Sequence, residues 1–91
     1  MTAAAKRGRR LNKENGNKCA TAVGRETGRI LAAGEPLSNA RVRKMSAYLA
    51  RAETYYKPSD PTACGTISFL LWGGITAKKW ANEIKKNSDQ F

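Results

Sequence analysis

Histidine is absent from this chain, and cysteine occurs only twice, at Cys19 and Cys64. Neither cysteine belongs to a CxxC pair, which argues against a four-ligand zinc site. Their state stays open in the sequence. One disulfide is possible, but two small buried thiols in a reducing compartment are the ordinary behaviour of isolated cysteines and are the expectation. Without histidine, general base work would fall to Glu, Lys or Tyr. Acidic residues are also scarce, only 7 against 17 Lys and Arg. They are scattered, with no close carboxylate pair at helical spacing. Ser46 and Ser59 have no activating base beside them, and the glycines at 24, 28, 65, 73 and 74 match no phosphate loop. The reading is therefore a non-enzyme with no catalytic residue, metal or cofactor. Nor is there a run of 18 apolar residues, so no transmembrane helix and no membrane partner are expected. The basic start has no apolar segment after it and does not read as a secretory signal.

Positive charge is what the sequence does have. The net charge is +10 on 91 residues, a surplus that attracts polyanions and releases their counterions on binding. Nucleic acid is the first partner class implied, DNA or RNA through non-specific electrostatics. An acidic protein surface is the second and an anionic membrane the third. The length allows one domain, and a hydrophobic content of 41% supports a small core rather than a large substrate cleft.

Residues 1–18 read as a disordered basic arm. Lys6, Arg7, Arg9, Arg10, Lys13 and Lys18 oppose only Glu14, and Leu11 is the one sizeable apolar residue after Met1. Such a stretch offers little apolar area to offset its ordering entropy, and arms of this kind contact phosphate backbones.

Residues 19–91 read as a small all-α domain, a bundle of three to four short helices. The first runs over 19–33, with Cys19, Val23 and Ile30 near one face and Arg25 and Arg29 four apart on another. Glu26 is placed to pair with Arg29, Gly24 and Gly28 permit close approach of another helix, and Gly34 stops the run. The second, 38–56, starts at a Ser38 cap and carries Val42, Met45, Leu49 and Tyr56 as its core stripe. Arg41, Lys44 and Arg51 place positive charge around its other sides. After the break at Pro58, Asp60 suits an N-cap with Pro61 in the first turn of a third helix, 62–72. A strand is the alternative for this run, because short apolar stretches are ambiguous by periodicity. Gly73-Gly74 allow the positive φ of a helix end. Thr76 then caps a last helix to about residue 86, with Ala77, Trp80, Ala81 and Ile84 inward and Lys78, Lys79, Lys85 and Lys86 outward. Residues 87–91 are expected to fray, with docking of Phe91 on the core as the alternative. Trp72 and Trp80 read first as core residues, while Phe69, Trp72 and Trp80 are also the candidate apolar contacts for a protein partner.

One ordered set of short motifs stands out: Arg43-Lys44-Met45, Tyr48-Leu49-Ala50-Arg51, Pro58-Ser59, Gly65-Thr66-Ile67, Leu71-Trp72-Gly73-Gly74 and Trp80-Ala81. Spanning residues 41–82, it resembles a segment of tailed-bacteriophage head proteins, found at the end of portal-linked or capsid-maturation polypeptides. Where that pattern often has a histidine, this chain has Ala52, so no metal or acid-base role carries over. The resemblance implies a compact helical module in a phage virion, docked on other phage head proteins, with host cytoplasm as the site of assembly. The combined expectation is a basic virion-associated protein (capsid, portal or internal) that docks through its helices and touches nucleic acid through the arm. Its cationic candidates are the six arm residues with Arg41, Lys44, Arg51, Lys78 and Lys79. The alternatives are a cytoplasmic nucleic-acid-binding regulator or host-takeover protein, and an adaptor or inhibitor of an acidic partner. No helix-turn-helix signature is readable, and the aromatics match no known single-strand recognition motif.

Overall fold

A computed structural model describes the backbone of residues 1–88 and the side chains of residues 1–84. Among them every regular element is helical: α1 (Thr2–Glu14), α2 (Ala22–Ala33), α3 (Asn39–Ala52) followed by a 3-10 turn (Glu53–Tyr55), α4 (Cys64–Leu71) and α5 (Gly74–Ser88). The all-α expectation holds, and helix rather than strand is found in the apolar run. Fraying is expected from residue 87, but α5 runs to Ser88; residues 89–91, with the alternative docking of Phe91, and the Lys85 and Lys86 side chains lie outside the described residues.

The basic arm is corrected. Residues 2–14 form a helix that packs on α2 and α4, which raises the helix count to five. Local sequence favours this, because Ala, Arg, Lys, Leu and Glu are all strong helix formers. The inward face is built from Ala5, Gly8, Leu11 and Asn12, spaced three, three and one residues apart. Three of the four are small or polar, so apolar area alone does not reveal them as a core face. Proximity replaces area here. A Cβ on Gly8 would lie 2.6 Å from the Leu71 amide nitrogen, so the α1 backbone rests directly on the end of α4.

Helix boundaries follow local chemistry. Ser38 accepts a hydrogen bond from the Arg41 amide at 3.1 Å, and Thr21 accepts one from the Gly24 amide at 3.2 Å. Gly34 closes α2 in the left-handed region, at φ 70°. Asp60 behaves differently from expectation. It accepts from the Thr62 amide and hydroxyl at 3.1 and 2.7 Å, which closes a turn, and α4 begins only at Cys64. Helix α5 starts at Gly74, two residues before Thr76, because Gly73 and Gly74 take φ values of 100° and 69° and turn the chain directly from α4.

The helices pack as two groups, α1 with α2 and α4, and α3 with α5, with α4 touching both. Phe69, Ile67, Met45 and Leu49 are fully buried at the centre. Tyr56 leaves the helical stretch and stacks on Phe69, ring centroids 4.6 Å apart. Tyr48 stacks on Trp72 at 4.4 Å, and its hydroxyl hydrogen-bonds Ser68. The close approach expected at Gly24 and Gly28 is found. Added Cβ atoms would meet Trp72 Nε1 at 3.0 Å and Leu71 Cδ2 at 2.8 Å. Buried polar groups tie the elements together: Thr66 donates to the Lys57 carbonyl at 2.9 Å, and Ser46 donates to Asn82 Oδ1 at 2.9 Å.

The reading of Cys19 and Cys64 as free thiols is also corrected. They form a disulfide with Cα atoms 4.7 Å apart, joining the α1–α2 loop to the first residue of α4. The packing of α1 brings them together, since Asn12 Oδ1 accepts from the Cys19 amide at 3.1 Å and holds the loop against the helix end.

Candidate nucleic-acid interface

Helices α1 and α2 diverge at the surface and leave an open groove of about 700 Å³. Arg9, Arg10 and Lys13 come from α1, and Arg25, Glu26 and Arg29 from α2. Asn12, Asn17, Ala22 and Leu71 complete the lining. The helical turn explains the first set, because residues 9 and 13 are four apart and face the same way. Five cations therefore share one groove with a single carboxylate.

That carboxylate is already engaged. Arg29 donates to Glu26 from Nε at 3.1 Å and from Nη2 at 2.7 Å, and from Nη1 to Glu35 at 2.6 Å. The hydrogen bonds from Arg29 hold the Glu26 carboxyl below its ordinary value of 4.5, and those from Glu26 and Glu35 hold the Arg29 guanidinium above its own. Arg10 reaches Glu14 only at 3.9 Å, in the open. Arg25 donates to the Ala20 carbonyl at 3.3 Å, which fixes its direction without neutralising it. Among the described residues, no carboxylate lies within 4.0 Å of Arg9, Lys13 or Arg25. The groove keeps a surplus of positive charge facing solvent.

The remaining sequence candidates are scattered. Lys6 and Arg7 are exposed earlier on α1, and Lys18 is exposed in the α1–α2 loop beside the disulfide. Arg41 turns inward and donates to Thr27 Oγ1 at 3.0 Å, tying α3 to α2. Lys78 is paired with Glu53. Lys44 and Lys79 are exposed on α3 and α5. Arg51 borders a second hollow of about 600 Å³ with Tyr48, Ala52, Tyr55 and Gly65. Arg25 is absent from the candidates read in the sequence. Its signal was its spacing from Arg29, but that pair acquires meaning only once α1 is a helix alongside.

The apolar candidates for partner contact are mostly interior. Phe69 is fully buried and Trp72 is 6% exposed, so both hold the fold together rather than present a surface; Trp80 is half-buried. The large exposed hydrophobic residues are Val23 and Tyr55 among those described, with Tyr55 at 68%. No described helix is long and apolar enough to cross a membrane.

The chain matches no family model, no curated protein and no solved structure.

Proposed function

We propose that this protein is a small, non-enzymatic, nucleic-acid-binding component of a tailed-phage head, gripping phosphate backbones in the α1–α2 groove without reading sequence. One observation carries the binding claim: Arg9, Lys13 and Arg25 converge on one groove whose only carboxylate is occupied by Arg29. Phosphate oxygens supply what these groups lack, and guanidinium groups bind them bidentately. The groove is lined mainly by cations, so affinity rests chiefly on charge. The phage context has a different support, the ordered motif set over residues 41–82. Much of that set, including Met45, Ile67, Leu71, Trp72 and Ala81, is interior, so it speaks for a shared packing scheme. Mass spectrometry of purified particles tests the context, and absence of the polypeptide from them refutes it.

Binding itself is tested by fluorescence anisotropy with an oligonucleotide across a salt series. Three or four phosphate contacts predict a slope of log K against log salt of roughly −2 to −3 for a single strand. Arg9→Ala, Lys13→Ala and Arg25→Ala each reduce that slope by about 0.7, whereas Arg43→Ala on exposed α3 leaves it unchanged. No detectable binding at low salt, or equal behaviour of all four variants, refutes the groove.

A further inference from the structure

We infer that the hollow beside Tyr55 is a stacking site for one unpaired base, so that the polymer this protein prefers is single-stranded nucleic acid. The inference rests on the α1–α2 groove holding the phosphates, and it names what the strand does on leaving that groove. Tyr55 is the most exposed large hydrophobic side chain among the described residues, at 68%, at the end of the 3-10 turn after α3. It borders a hollow of about 600 Å³ shared with Arg51, Ala52 and the partly buried Tyr48. An open aromatic face beside a guanidinium is what a nucleobase requires. The ring stacks on the base, and the cation serves the base's π face or its 5′ or 3′ phosphate.

Position links the hollow to the groove. Gly65, in the wall of the hollow, directly follows Cys64, and Asn17, in the wall of the groove, lies two residues before Cys19. The disulfide holds those two cysteines with Cα atoms 4.7 Å apart. With consecutive Cα atoms about 3.8 Å apart, the path from Asn17 through the bridge to Gly65 is at most about 16 Å, a span that a short stretch of single strand crosses. Lys18, exposed next to Cys19, supplies a cation on the way. The placement of Tyr55 is fixed by its backbone, since a Cβ on Gly65 would lie 2.6 Å from the Tyr55 carbonyl oxygen, and only a glycine lets the two segments meet. The backbone is thus tightly packed while the side chain stays open to solvent. A duplex keeps its bases paired and stacked on one another, so it can use the groove but not the hollow.

The test compares oligodeoxyuridylate, oligouridylate and an abasic oligomer, each about ten nucleotides long, which is within the footprint of common single-strand binders. With the intact protein, the base-bearing oligomers are expected to bind about tenfold more tightly than the abasic one. Tyr55→Ala is expected to abolish that preference while leaving abasic affinity unchanged, and Tyr55→Trp to retain it. Arg25→Ala is expected to weaken all three oligomers alike. A response to Tyr55→Ala with only one of the two base-bearing oligomers supports the site and shows which sugar the strand carries. Equal binding of abasic and base-bearing oligomers by the intact protein overturns the stacking site, as does an unchanged preference in Tyr55→Ala. Those results leave the groove standing. Loss of binding to every oligomer refutes the groove and the stacking site together.

Discussion

A methyl group at residue 8 would stand 2.6 Å from the Leu71 amide nitrogen and 2.9 Å from the Leu70 carbonyl carbon. Both obstacles are backbone and cannot rotate aside. Gly8→Ala therefore trades a gain in helix propensity, about 1 kcal/mol, against separation of α1 from α4. The second effect should win, with a net destabilisation of about 1–3 kcal/mol, as for other overpacked sites, measured by urea denaturation. Gly28→Ala meets a movable Leu71 methyl at 2.8 Å and should cost less. Residues of this kind are poorly legible in a sequence. Gly24 and Gly28 can be read as a place of close approach because their spacing is helical, yet their partner, the Leu71–Trp72 corner, cannot be named in advance. Gly8 stands in a run of charges and gives no such hint.

At the scale of elements, the helices with caps and apolar stripes were readable. Ser38, Gly34 and the Gly73-Gly74 turn act where the sequence places them, and the Glu26–Arg29 pair forms. Helix α1 was not readable, because the argument from buried apolar area assumes large side chains and this helix packs through small ones. The same omission hid the groove, since three of its five cations come from α1. The cysteine pairing is hidden in the sequence for a related reason. Their pairing depends on α1 returning the chain to α4, which no local signal encodes. The bridge closes a loop with a sequence separation of 45. Chain-entropy arguments value a loop of that size at about 4 kcal/mol. Reduction with a dithiol should lower unfolding stability by that order in denaturant titrations, and α1 should be among the first segments to exchange its amide protons, because its side-chain burial is small.

For the whole molecule, the relevant quantities are a charge of +10 and dimensions of 43 × 26 × 20 Å. So many like charges at such distances repel within about one Debye length at physiological salt. Among the described residues the attractive pairs, such as Arg29 with Glu26 and Glu35, are few and largely exposed. Repulsion should therefore dominate, and the melting temperature is expected to rise as salt increases from about 10 to 150 mM, where the Debye length falls from about 30 to 8 Å. A fall in melting temperature over that range would show that attraction dominates instead. The same salt weakens polyanion binding, so stability and affinity should move in opposite directions. Residues 19 and 64 are joined by a covalent link. It makes a closed ring containing α2, α3 and the following loop, with α1 on the tail before Cys19 and α4 and α5 on the tail after Cys64. A single peptide bond cut by a protease anywhere in that ring yields no separate fragments. The nicked protein migrates as one species until a reducing agent is added, and only then do two pieces come apart.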